Sequence, residues 1–255
     1  MPEEIEAGQL DRELRAELRT LSKDNADGTA RHLVAAGLQM EADDLDAALE
    51  HALAASRRAG RVAGVRETLG VVYYRRGEWA KALGEFRTAR RISGLNHLLP
   101  MMADTERGLG RPERALEMAA SPDARRLSPA EQIEMAIVVS GARIDMDQTA
   151  AAVQHLRDLA ASGTGQEPWA ARLRYAYAAA LEADGRHDEA QAWYERAAEV
   201  DVEGETDVRE VLGVEEDPDV IDLTPDEEED TPVHEVEQED EARGADPQAD
   251  GGPGR

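Results

Sequence analysis

The sequence predicts an all-α fold: a superhelix of about five helix pairs, with a capping helix before it and a disordered acidic tail after it. Three observations predict this. Ala36, Asp43, Ala48 and Ala55 recur as Gly70, Gly77, Ala82 and Ala89, an offset of 34 residues at every position, and that period is the mark of a two-helix repeat. Aromatic residues make up only 4% of the 255-residue chain, so alanine must do the packing, which suits closely stacked helices. After position 200 there are 22 acidic and 3 basic residues, a net of −19 within a total of −26. A mildly acidic body therefore carries a strongly acidic tail.

Residues 1–28 are expected to form the cap. Leu10, Leu14, Leu18 and Leu21 fall on one helical stripe with Arg and Glu between them, and Ser22–Asp27 is expected to break the pattern. The repeat body is placed at 29–204, in pairs at about 29–62, 63–96, 97–129, 130–166 and 168–204. In the first pair Ala36 and Ala48 take the small-residue positions. The second is the cleanest. Leu69, Gly70 and Tyr73 share one helix, Gly77 turns the chain, and Ala82, Phe86 and Ala89 share the next.

In the third pair Gly110 turns the chain, and Pro112 opens a short helix through Ala115; proline suits a first helical turn, where its missing N–H has no partner to lose. Ser128, Pro129 and Glu131 start the fourth pair, a good helix-start pattern, with Ser140 and Ala152 at small-residue positions and Asp147 at the turn. The fifth pair follows Pro168, with Tyr177, Ala178 and Leu181 before Gly185 and with Ala190, Tyr194 and Ala197 after it. Residues 205–255 are rich in acids and carry Pro218, Pro225, Pro232, Pro247 and Pro253. Such a segment cannot bury enough apolar surface to offset its ordering entropy.

Leu69-Gly70-x-x-Tyr73 followed by Ala82-x-x-x-Phe86, and Tyr177-Ala178-x-x-Leu181 followed by Ala190-x-x-x-Tyr194, resemble the signature of the tetratricopeptide repeat family. The resemblance covers about residues 29–204. It implies a right-handed superhelix whose first helix of each pair lines a concave, peptide-binding face. On that face it places Met40, Val71, Tyr74, Arg75, Asp104, Arg107, Ile137, Ile144, Arg172 and Tyr175, along with Leu33, His97 and Glu182. Gly70 and Ala82 are expected to meet where the helices cross, because small side chains let axes approach to the lower end of about 8–10 Å. Two departures stand out: Arg66 and Arg174 occupy the position of the family's helix-A tryptophan. Basic residues are nearly all Arg, with only Lys23 and Lys81, a balance that points to a high-GC, actinobacterial member.

The expected function is protein or peptide binding by a non-catalytic adaptor or assembly scaffold. An arginine fork grips a carboxylate bidentately, so the face is expected to take a guest with acidic and apolar positions. The chain's own Val220-Ile221-Asp222-Leu223-Thr224, set among acids, is expected to compete weakly for the same arginines. The alternative reading makes the acidic tail the active part, shielding or competing for a basic, nucleic-acid-binding partner. Self-association through repeat ends is a third possibility.

No catalytic, cofactor or metal site is expected. None of the six His sits in a zinc-protease pattern, and Gly108-x-Gly110 has no strand before it. With no Cys there is neither disulfide nor thiol nucleophile. The acidic balance disfavours direct binding to nucleic acid. No run approaches the ~18 apolar residues of a membrane span, and the acidic start of the chain does not read as a signal peptide. A cytoplasmic location is the expectation.

Overall fold

The computed structural model describes residues 5–213. The acidic run from 214 to 255, with its Val220–Thr224 segment and its expected disorder, lies outside the described residues. The fold is all-α, a superhelical stack of helix pairs with no strand among the described residues. A short helix α1 (Arg12–Glu17) leads into α2 (Lys23–Glu41) and α3 (Leu45–Ala59). The second pair is α4 (Ala63–Arg75) with α5 (Trp79–Ser93), the third α6 (Leu99–Gly108) with α7 (Pro112–Ala119). The fourth is α8 (Pro129–Asp145) with α9 (Thr149–Ser162), and the fifth α10 (Ala170–Ala183) with α11 (His187–Ala198). A single turn, α12 (Val208–Val211), follows.

The repeat is most regular at its turns. Between the two helices of each pair one residue adopts a left-handed backbone: Asp43 (φ 56°), Gly77 (70°), Gly110 (71°), Asp147 (58°) and Gly185 (78°). After each, the next amide donates to a carbonyl five residues back: Asp44 to Gln39, Glu78 to Tyr73, Arg111 to Glu106, Gln148 to Arg143 and Arg186 to Leu181, all at 2.8–2.9 Å. This satisfies the last carbonyls of the first helix and turns the chain back on itself. Asp stands in for Gly at two of the five turns because short polar side chains tolerate this region better than others.

Each pair packs along its length, and consecutive pairs then stack through α3 on α4, α5 on α6, α7 and α6 on α8, and α9 and α8 on α10. Small residues sit at the tightest approaches: Ala36, Ala48, Ala82, Ala115, Ala152 and Ala178 are fully buried, and Ala190 nearly so. Burial is continuous along the stack. Phe86 packs with Leu98 and Met102 of the following pair, and Tyr177 and Tyr194 pack with Leu156 and Ala160 of the preceding one. One crossing differs from expectation. The atoms over Gly70 are ring carbons of Phe86, 2.6 Å from where a Cβ would stand, so Gly70 makes room for the aromatic and not for Ala82.

The first pair also begins earlier than expected. Residues 23–28, read as a break, form the opening turns of α2. Gly28 does not interrupt the helix there, because the Arg58 guanidinium lies against it, 2.9 Å from the missing Cβ. Asn25 fixes the same end by donating to the Arg58 carbonyl at 3.1 Å. The cap is correspondingly shorter, a six-residue α1 started by Asp11, whose carboxylate accepts from the Glu13 amide at 2.7 Å. Its leucines divide. Leu10 and Leu18 are buried against Ala55, Val62 and Val65, with Leu14 and Leu21 at the edge. Leu33 belongs to this core at 3% exposure, so it is not available on a binding face.

Polar clamps replace the two tryptophans of the repeat pattern. Arg66 donates to the Gly60 carbonyl at 2.7 Å and to Glu85 at 3.0 Å. Arg174 donates to the Arg196 carbonyl at 2.8 Å. In each case the arginine ties helix A to the chain around it.

Candidate functional groove

The first helices of pairs three to five, α6, α8 and α10, pack side by side. Helical periodicity then puts Arg107, Ile137, Gly141, Ile144, Arg172, Tyr175, Ala176 and Ala179 on one side of them. Together with Ser140 they line a cavity of about 430 Å³. Its far rim is the chain itself. Past α11, the carboxylate of Asp201, only 2% exposed, accepts from the amides of Glu205 (2.7 Å) and Thr206 (3.0 Å) and from the Thr206 hydroxyl (2.6 Å). Burial opposes the charge on Asp201, yet these hydrogen bonds hold its pKa below the ordinary carboxylate range. The resulting tight loop turns Glu205, Thr206 and Asp207 onto the rim. Val208, fully buried, anchors the loop to the core of pair five.

The arginines expected to grip a guest are already committed. Arg107 meets two carboxylates: Nε and Nη2 donate to Asp145 at 2.8 and 3.3 Å, and Nη1 to Asp104 at 2.6 Å. Burial opposes the charge on Arg107, but its bonds to Asp145 and the charges of both acids keep its pKa above the usual value. Gly141 makes the geometry possible: the Arg107 guanidinium carbon lies 2.5 Å from where a Cβ would be, so the side chain crosses α8 directly over the glycine. Asp104 also accepts from the Tyr74 hydroxyl. Desolvation, with help from Asp104, raises the Tyr74 pKa well above its ordinary value.

Arg172 bridges Glu134 at 2.6 Å and Glu205 at 3.5 Å. Arg75 donates to the Met40 carbonyl at 2.6 Å and to Asp43 at 3.1 Å. The arginines are therefore not open forks among the described residues: Arg107 is held by Asp104 of its own helix and by Asp145 of α8, Arg172 by Glu134 of α8 and Glu205 of the rim loop, and Arg75 by Asp43 of the first turn. Of the residues lining the cavity, Glu205 and Asp207 are acidic and Arg107 and Arg172 basic; since both arginines are also paired with Asp104, Asp145 or Glu134, Asp207 is left without an ion pair among the described residues.

The remaining face residues fall elsewhere. Met40 and Val71 line a second cavity of about 530 Å³ beside α1, with Leu14, Leu95 and the acids Asp11, Glu13, Glu17 and Glu67. Glu67 bonds His97 at 3.0 Å, linking pair two to pair three. Glu182 accepts from the Tyr194 hydroxyl at 2.7 Å and is engaged in packing pair five. The structure thus brings Arg107, Ile137, Ile144, Arg172 and Tyr175 to one cavity and Met40 and Val71 to another. Tyr74 bonds Asp104, which with Arg107, Trp79, Gly110 and Asp145 lines a further cavity of about 710 Å³, and Arg75 lies against the first turn. Sequence reasoning missed Ser140 as a wall residue, Ala176 and Ala179 as its apolar floor, and the rim at 205–207. The clue lay in the one-turn offsets, since 172, 176 and 179 share a helical face.

No cluster of three or more metal-ligating side chains occurs among the described residues, and no helix there is long and apolar enough to cross a membrane. The chain matches no protein-family model and no curated protein. Solved structures similar to it include the following two. One, described as the crystal structure of MamA protein, is 13% identical, with 69% of this chain and 93% of that chain covered and a TM-score of 0.47. The other is YrrB, described as a TPR protein with an unusual peptide-binding site. It is 16% identical, with 72% and 90% covered and a TM-score of 0.43. The tetratricopeptide-like arrangement rests on the repeated turns and the stacked small-residue pairs described above.

Proposed function

We propose that the protein is a non-catalytic binding scaffold that receives a peptide segment of another protein in the groove over α6, α8 and α10. One observation carries this reading. Ile137, Ile144, Tyr175, Ala176 and Ala179 form an apolar wall in a cavity of about 430 Å³, a size suited to a large side chain with its backbone alongside. Beside that wall both guanidiniums, Arg107 and Arg172, are paired and held in place, which favours recognition over chemistry.

The test is affinity purification from the native host with the full chain and with Ala176→Trp, which fills the cavity. Partners retained by the wild type and lost with the variant support the groove. Identical partner sets for the two proteins would remove it.

A second reading has its own observation, the −19 carried after position 200. Here the tail engages a basic partner and the repeats position it. Capture by the isolated tail peptide, falling steeply with salt, would favour this reading.

A further inference from the structure

The groove's charge carries the reading further. Two carboxylates, Glu205 and Asp207, and two guanidiniums, Arg107 and Arg172, line the cavity with its apolar wall; both guanidiniums are engaged, and Asp207 has no ion pair among the described residues. The acids at the open rim, Glu205 and Asp207, belong to the loop held by Asp201, and Asp207 accepts no capping bond from α12 behind it. An acidic guest would meet carboxylates whose cationic partners are already taken. A cationic guest would meet Asp207, an exposed carboxylate with no ion pair among the described residues.

Two atoms on the wall are out of water and lack a hydrogen-bond partner: Ser140 Oγ, on a residue 1% exposed, and Arg172 Nε. Buried polar groups are rarely left unpaired. The chain leaves the described residues immediately after α12, next to this rim, and its next 42 residues are strongly acidic. A field of one sign around a cleft raises the encounter rate of an oppositely charged partner.

We propose that the guest is a basic segment of a partner protein, an apolar residue flanked by Lys or Arg. The apolar side chain enters between α8 and α10, and the cation meets Glu205 and Asp207. This rests on the groove being the peptide site, and it makes the acidic tail a steering element and not a competitor for the groove.

The experiment is selection of a phage-displayed library of random linear 12-residue peptides on the full chain, run in parallel on Ala176→Trp and Asp207→Lys. Both variants carry the same tail, so peptides held by the tail appear in all three selections and cancel. Asp207 is exposed, which keeps that variant informative should the tryptophan disturb the fold. The expected result is enrichment of apolar peptides with adjacent Lys or Arg on the wild type, lost on Ala176→Trp. The enriched peptides should bind Asp207→Lys at least about fivefold more weakly, the upper end of what one exposed charge pair supplies. Enrichment of acidic or neutral peptides that still depends on Ala176 would overturn the basic guest and leave the groove reading standing. The absence of any peptide whose binding depends on Ala176 would overturn both.

Discussion

Gly70 gives a sharp test of the packing, because the sign of its effect opposes the intrinsic preference of a helix. Glycine inside a helix costs about 0.5–1 kcal/mol relative to alanine, so Gly→Ala is stabilising wherever there is room. Gly84, in α5, and Gly37, in α2, have nothing within 4 Å of the added methyl. Gly84→Ala and Gly37→Ala are expected to stabilise by about 0.5–1 kcal/mol each.

At Gly70 the same methyl lands 2.6 Å from Phe86 Cδ1 and Cε1 and 3.3 Å from Cζ. Ordinary carbon contacts lie at about 3.5–4.0 Å, so the ring must retreat by roughly 1 Å. Phe86 is fully buried and backed by Leu98 and Met102, so that retreat is resisted by the next pair. Overpacking of this kind costs about 1–3 kcal/mol. Net of the helix gain, Gly70→Ala is expected to destabilise by about 0.5–2 kcal/mol, which lowers Tm by about 1–8 °C for a body of this size. Thermal melts followed by circular dichroism on the full chain measure all three variants. In a Phe86→Leu background the Gly70→Ala penalty should shrink. Gly70→Ala melting at or above wild type, as Gly84→Ala should, would refute the reasoning.

Two further outcomes follow from the turns and from the His97 bridge. Asp147 holds a left-handed backbone at φ 58° that glycine adopts without cost, so Asp147→Gly is expected to raise stability by up to about 1 kcal/mol, read as a higher denaturant midpoint. The hydrogen bond to Glu67 raises the His97 pKa above its ordinary 6.5 in the folded protein. The stability it contributes is fully present below 6.5 and is lost as pH rises through the elevated folded value. His97→Gln should therefore lose Tm relative to wild type at pH 5.5 and converge with it at pH 9; a gap independent of pH would show that the bridge contributes no charge-linked stability.

What could be read from the sequence was what repeats locally. Gly77, Gly110 and Gly185 marked the left-handed turns because few other residues sit there comfortably. Asp43 and Asp147 joined them by period and by tolerance of the same backbone. The small residues at 36, 48, 82, 115, 152, 178 and 190 marked close helix approaches for the same local reason. Partners distant in sequence could not be read in this way. Arg107 looked free because Asp145 lies 38 residues on, and Arg172 because Glu134 is 38 residues back. Ser22–Asp27 read as a break because nothing local indicated that Asn25 bonds the Arg58 carbonyl, 33 residues later, and holds the opening turns of α2 in place. The rim at 205–207 depends on Asp201 folding its own loop, a geometry that composition does not carry.

The most direct test of the binding account places a photoreactive benzoylphenylalanine in the full chain in its native host, in place of Tyr175 on the groove wall or of the exposed Glu195 on α11. The account predicts a covalent partner adduct from position 175 and none from 195. Adducts from 195 without any from 175, or adducts formed only from a tail position such as Glu229, would contradict it.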